Sequence, residues 1–130
     1  MTGAAHVQWA KALRSLATAR SAYRDGDTDS AASRAYYAAF HAVTAHFALR
    51  GQLFKKHAHI RAALHRDLIL TGVWFKEFGT DFDLLLRTRD IGDYNMAVYV
   101  DSDEALQAIE AAARIIDKVS ESHPSIFTKD

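Results

Sequence analysis

Of 130 residues only one, Pro124 near the C-terminus, is a proline. Proline removes a backbone N–H and clashes with the preceding helical turn, so nearly the whole chain is left free to be helical. Apolar residues then recur at helical spacing along most of it. A first helix is expected from about Ala5 to Arg24, with Trp9, Leu13, Leu16 and Tyr23 on one side and Gly26 where a C-terminal cap would sit. "DGDTDS" reads as a turn, with Asp29 or a neighbour capping a second helix from about Ser30 to Arg50, which ends at Gly51.

A third helix is expected over His57 to Leu70, where Ile60, Leu64 and Leu68 share a stripe. "TGVWFKEFGTD" reads as a looser connection, and a short fourth helix over Phe82 to Asp90 stops before Gly92. "MAVYV" has strand-like composition, but no second strand is evident to pair with it, so it reads as an extended loop. A last helix runs from Ser102 to Ser122, capped by Asp101 or Ser102, with Leu106, Ile109, Ala113 and Ile116 inward. The expected fold is all-α: an antiparallel helical bundle of four main helices plus a short fifth, formed as a single domain over residues 1–130.

Composition narrows the function. The 49% apolar and 25% charged residues suit a folded domain with its own core. No cysteine is present, which excludes thiolate chemistry and cysteine zinc sites and fits a reducing, cytoplasmic setting. Sixteen basic and sixteen acidic residues cancel, so net charge points to neither nucleic acid nor membrane. No apolar run is long enough to span a bilayer, and "MTGAAHVQW" lacks the order of a signal peptide. Neither a phosphate-cradling glycine loop nor a nucleophile elbow occurs, and no metal-ligand pattern is found, so no cofactor or metal is expected.

Two polar clusters interrupt this apolar pattern. In "SRAYYAAFHAVTAHF", Tyr36, Phe40, Val43 and Phe47 form the core stripe, and Ala35, Ala38, Ala42 and Ala45 form a small-residue flank. Arg34, Tyr37 and His41, at i, i+3 and i+7, share a third face. That face is either solvated surface with a snorkelling arginine, or a polar groove in which arginine binds an anion and imidazole exchanges a proton. The second cluster, "LLLRTRDIGDYN", sets Arg87, Arg89, Asp90, Asp93 and Tyr94 around Gly92. It is either a local salt-bridge arrangement at a helix end, or a phosphate site with Arg89 as binder and Asp93 or Tyr94 as acid/base partner. "KKHAHIRAALHR" adds a modest basic patch that includes His57.

"SAASRAYYAAFHAVTAHFALRG", "KKHAHIRAAL", "LLLRTRDIGDYN" and a final alanine-rich helix resemble, in that order, the HEPN superfamily (higher eukaryotes and prokaryotes nucleotide-binding). The small stand-alone bacterial and archaeal branch, with its "SRAYYA-FHA" helix and later "R-x-x-x-DY" segment, is the most similar. The resemblance implies a helical bundle that dimerises, binds nucleotide or RNA, and pairs with a minimal nucleotidyltransferase in a toxin–antitoxin-like couple. Many members are metal-independent ribonucleases whose motif is an arginine, four to six residues, and a histidine at a dimer cleft.

Carried onto this chain, Arg89 matches the motif arginine and Asp90 its polar neighbour, while the histidine position falls at or near Asp93 and Tyr94. Arg34 and His41 fit the count, with six residues between them, but lie on the second helix. A binding role for Arg89, Arg34, Tyr37, His57 and Asp90 is therefore the first expectation. Ribonuclease chemistry is the alternative, in which Arg89 stabilises charge and His41, His57, Asp93 or Tyr94 moves protons. A scaffold bundle without a ligand is the third.

Overall fold

A computed structural model describes residues 3–129. Among these residues five α-helices follow one another: α1 (Gly3–Arg24), α2 (Thr28–Ala48), α3 (His57–Ala63), α4 (Lys76–Tyr94) and α5 (Ser102–Ser122). α3 continues directly into a π-helical turn, Leu64–Ile69. No strand occurs among the described residues, and "MAVYV" is an extended loop, as its isolation implied.

α2 is the central helix and packs against α1, α4 and α5. Its composition explains this position. Ala31, Ala32, Ala35, Ala38, Ala39, Ala42 and Ala45 are wholly buried, so small side chains on several faces let three helices approach one axis closely. Tyr36, Val43 and Phe47 fill the core as expected, while Phe40 is only half-buried. Ile60, Leu64 and Leu68 are buried together despite the π-helical turn. α1 and α2 form an antiparallel hairpin closed by Gly26, whose φ of 80° is a conformation open chiefly to glycine. Asp27, not Asp29, caps α2 by accepting from the Ser30 N–H. Asp29 instead reaches across to accept the Val100 N–H at 2.8 Å.

The bundle of four main helices and a short one holds, but α3 and α4 exchange roles. α4 spans 19 residues, beginning inside the expected connection and running through Gly92. Gly92 does not break it because the bundle needs a residue without Cβ there. A Cβ would come within 3.0 Å of the Asp29 carbonyl oxygen. Gly79 is likewise helical, with the His65 ring seated against it. α5 has the expected bounds, and Asp101 with Glu104 completes a capping box. Ile109 and Ile116 point inward, but Leu106 is 39% exposed, because the α5 stripe turns it to the rim. After α5 the chain folds back, burying Phe127 against Trp9 with ring centroids 5.0 Å apart. Among the described residues, no helix is long and apolar enough to cross a membrane.

Candidate nucleotide or RNA site

α4 crosses α2 antiparallel, so Arg89 lies over the two tyrosines of "RAYYA". Its guanidinium carbon is 5.1 Å from the Tyr36 ring centre, 5.7 Å from Tyr37 and 5.5 Å from Tyr94. Three electron-rich faces around one cation hold it in place while leaving donors free. Arg89 Nε donates to Asp93 at 3.2 Å, and its Nη2 donates to the Tyr94 hydroxyl at 3.1 Å. Asp90 is more remote, at 3.8 Å. The Arg89 side chain is only 12% exposed. That burial pulls its pKa down, but the hydrogen bonds it donates to Asp93 and Tyr94 outweigh it, and the net direction is upward. The cation is thus permanent, partly desolvated and fixed.

The N-terminus of α3 brings His57 to the same place. Its ring stacks on Phe40 with centroids 4.1 Å apart and meets Tyr37 edge-on at 5.6 Å. The Tyr36 hydroxyl lies 3.4 Å from His57 Nδ1. Burial pushes the Tyr36 pKa up to about 12 against the opposing pull of Arg89, so the phenol beside the imidazole stays protonated. Burial, then the Arg89 charge, lower the His57 pKa, so this imidazole is neutral at pH 7. Sequence spacing showed that His57 and His59 face apart; it could not show which helix would receive His57.

His41 stands one ring further along α2, against Tyr37 (6.3 Å) and Phe40 (5.4 Å). Tyr37 therefore touches both Arg89 and His41, while those two do not touch each other. His41 Nδ1 lies 2.7 Å from Gln8 Oε1 on α1. Burial, with Lys11, His57 and Arg34 nearby, pushes its pKa down to about 4. Arg34 shares this face but is exposed and forms no ion pair among the described residues. Arg89, Asp93, Tyr94, Tyr37 and His57 thus form one contact cluster, with His41 and Arg34 at its edge and Asp90 on its outer side.

Tyr36, Phe40 and Gln8 also belong to this cluster, though the sequence pattern assigned the first two wholly to the core. The hydroxyl of Tyr36, costly to bury without a partner, was the available signal. The basic patch divides. His57 goes to Arg89, Arg61 donates to Asp83 at 2.7 Å and His65 meets the same carboxylate at 3.2 Å, while Arg66 pairs with Asp67. Among the described residues, no three His, Asp or Glu side chains are grouped to share a metal ion.

The HEPN domain family matches residues 5–122, covering all five helices almost to their ends. The chain is also 32% identical over 90 residues to a UPF0332 protein from Thermotoga maritima, an overlap of 69% of this chain and 68% of that relative. With the all-helical bundle and the "SRAYYAAFHA" helix facing Arg89, these matches establish that the chain belongs to the HEPN domain family, and its role is nucleotide- or RNA-related.

Proposed function

We propose that this chain is a single-domain, cytoplasmic HEPN protein that binds the phosphate of a nucleotide or RNA at Arg89. We infer further that it works as a homodimer and pairs with a minimal nucleotidyltransferase in a toxin–antitoxin-like system. The observation that carries the binding role is Arg89 itself, a fixed and partly desolvated guanidinium framed by three tyrosine rings. Asp93 and the Tyr94 hydroxyl each take one donor of its fork, and the remaining N–H groups can meet a phosphate. Tyr37, Tyr94 and His57 supply faces on which a base can stack. The test is fluorescence anisotropy with a labelled single-stranded RNA. Wild-type protein should bind, and Arg89→Ala should weaken binding at least tenfold without loss of the thermal transition. Light scattering should give the mass of two chains, and co-expression with a minimal nucleotidyltransferase should yield a complex stable to gel filtration. Equal RNA binding by Arg89→Ala would sink the reading.

One observation favours metal-independent RNA cleavage as a second reading: α3 delivers a neutral histidine, His57, to the Arg89 cluster although the motif position holds none. A neutral imidazole can take the 2′-hydroxyl proton as that oxygen attacks the neighbouring phosphorus and Arg89 stabilises the developing phosphorane charge; the P–O5′ bond then breaks, and the imidazolium returns the proton to the leaving 5′-oxygen. RNA cleaved in the presence of EDTA, and left intact by both Arg89→Ala and His57→Ala, would establish this reading over simple binding.

A further inference from the structure

Gln8 of α1 has no role in the proposed binding of phosphate at Arg89, yet it makes the closest polar contact to any histidine of the cluster. Its Oε1 lies 2.7 Å from His41 Nδ1. An amide oxygen only accepts, so the bond requires the proton on Nδ1, leaving the lone pair on Nε2. Nε2 makes no hydrogen bond among the described residues and is not among the polar atoms sealed from solvent, so it opens outward. The Lys11 and Arg34 charges both act on the imidazole, as does His57, and Tyr37 joins it to Arg89. Lys11 and Arg34 are both exposed and form no ion pair among the described residues.

The acceptor and its surroundings make opposite demands. The Nε2 lone pair needs a hydrogen-bond donor, while the cations around it repel a charged donor and attract an anion. A neutral hydroxyl beside a phosphate satisfies both, and a ribonucleotide presents that pair as the 2′-hydroxyl next to the 3′-phosphate. We propose that Gln8 is a positioning residue that fixes His41 as its Nδ1–H tautomer, so that Nε2 accepts the 2′-hydroxyl of RNA whose neighbouring phosphate meets Arg34 and Lys11. Burial and the same cations keep His41 neutral at pH 7, with its pKa pushed down to about 4, so the acceptor persists where the protein works. The inference rests on the proposed binding role of the Arg89 cluster and names its substrate class: ribose-bearing, not deoxyribose-bearing, phosphate.

The experiment compares one single-stranded sequence as RNA and as DNA, at pH 8, with wild type, Gln8→Leu and Gln8→Glu. A 3′-phosphorylated ribonucleoside and its 2′-deoxy form provide a second pair, to separate polymer from free nucleotide. The His41 tautomer is read independently from its ¹⁵N chemical shifts. Wild type should prefer the ribo form about fivefold, the worth of one hydrogen bond, with protonated Nδ1. Gln8→Leu should bring the ratio to within twofold of unity, and Gln8→Glu, which keeps an acceptor against Nδ1, should retain the preference. A ribo preference in one pair alone identifies the source as polymer or free nucleotide. Equal binding of ribo and deoxy forms, or an Nε2–H tautomer in wild type, would overturn the inference alone. No binding of any probe would overturn it together with the proposed function.

Discussion

His123 Nε2 lies 2.9 Å from His46 Nδ1, joining the end of α5 to a histidine in the middle of the bundle. His46 is 2% exposed, and its Nε2 is buried without a hydrogen-bond partner. Burial first, and then His123 and Arg50, push its pKa down to about 4 from an ordinary 6.5. Burial and Arg50 lower that of His123 in the same sense. Both rings are accommodated neutral. The unfolded chain therefore binds more protons between those two values, and stability is full above pH 6.5 and is lost as the pH falls toward 4. His46 alone should contribute up to about 3 kcal/mol of this loss. Thermal melts at pH 7.5 and pH 5 should show a marked fall in Tm, and His46→Leu should make that fall smaller. An unchanged pH slope in the variant would contradict the assignment.

The segment after α5 is part of the core and not a tail. Phe127 is fully buried, Trp9 Nε1 donates to the Thr128 carbonyl at 2.7 Å, and Ser120 donates to the Phe127 carbonyl at 2.7 Å. Phe127→Ala is expected to cost about 3 to 5 kcal/mol by leaving a cavity against Trp9. Urea denaturation followed by tryptophan fluorescence should give a correspondingly lower midpoint.

Gly92 should resist replacement even though it sits in a helix. Alanine there gains about 1 kcal/mol of helix propensity. Its Cβ, however, would meet the Asp29 carbonyl oxygen at 3.0 Å and the Asp29 Cα at 3.2 Å, and both are backbone atoms that cannot turn aside. Overpacking of about 1 to 3 kcal/mol should win, so Gly92→Ala is expected to be less stable than wild type. A rise in its urea midpoint would show that α2 and α4 can move apart at no cost.

Arg89→Lys should fail to replace arginine. The planar guanidinium faces three tyrosine rings and donates to Asp93 and Tyr94 together, a geometry an ammonium cannot reproduce. In the RNA-binding assay the lysine variant should lie closer to Arg89→Ala than to wild type, a loss of roughly tenfold or more from charge-assisted bonds. Full retention of affinity would reduce Arg89 to a simple point charge.

The lone proline, the alanine flank of α2 and the periodic stripes determined an all-helical bundle, because each rests on contacts three or four residues apart within one helix. The same local logic located α1, α2 and α5 to within a few residues and grouped Arg89, Asp93 and Tyr94 around Gly92, although it is the continuation of α4 through Gly92 that lets Arg89 reach both partners. Local rules misplaced the start and end of α4, where Gly79 and Gly92 read as breaks but are needed for the packing of His65 and Asp29. The site beyond α4 was decided by tertiary structure alone. Tyr36 beneath Arg89, His57 against Phe40 and Gln8 on His41 are each pairs from different helices. Their side chains meet only because four helices share one core, and no spacing along the chain encodes where two helices cross.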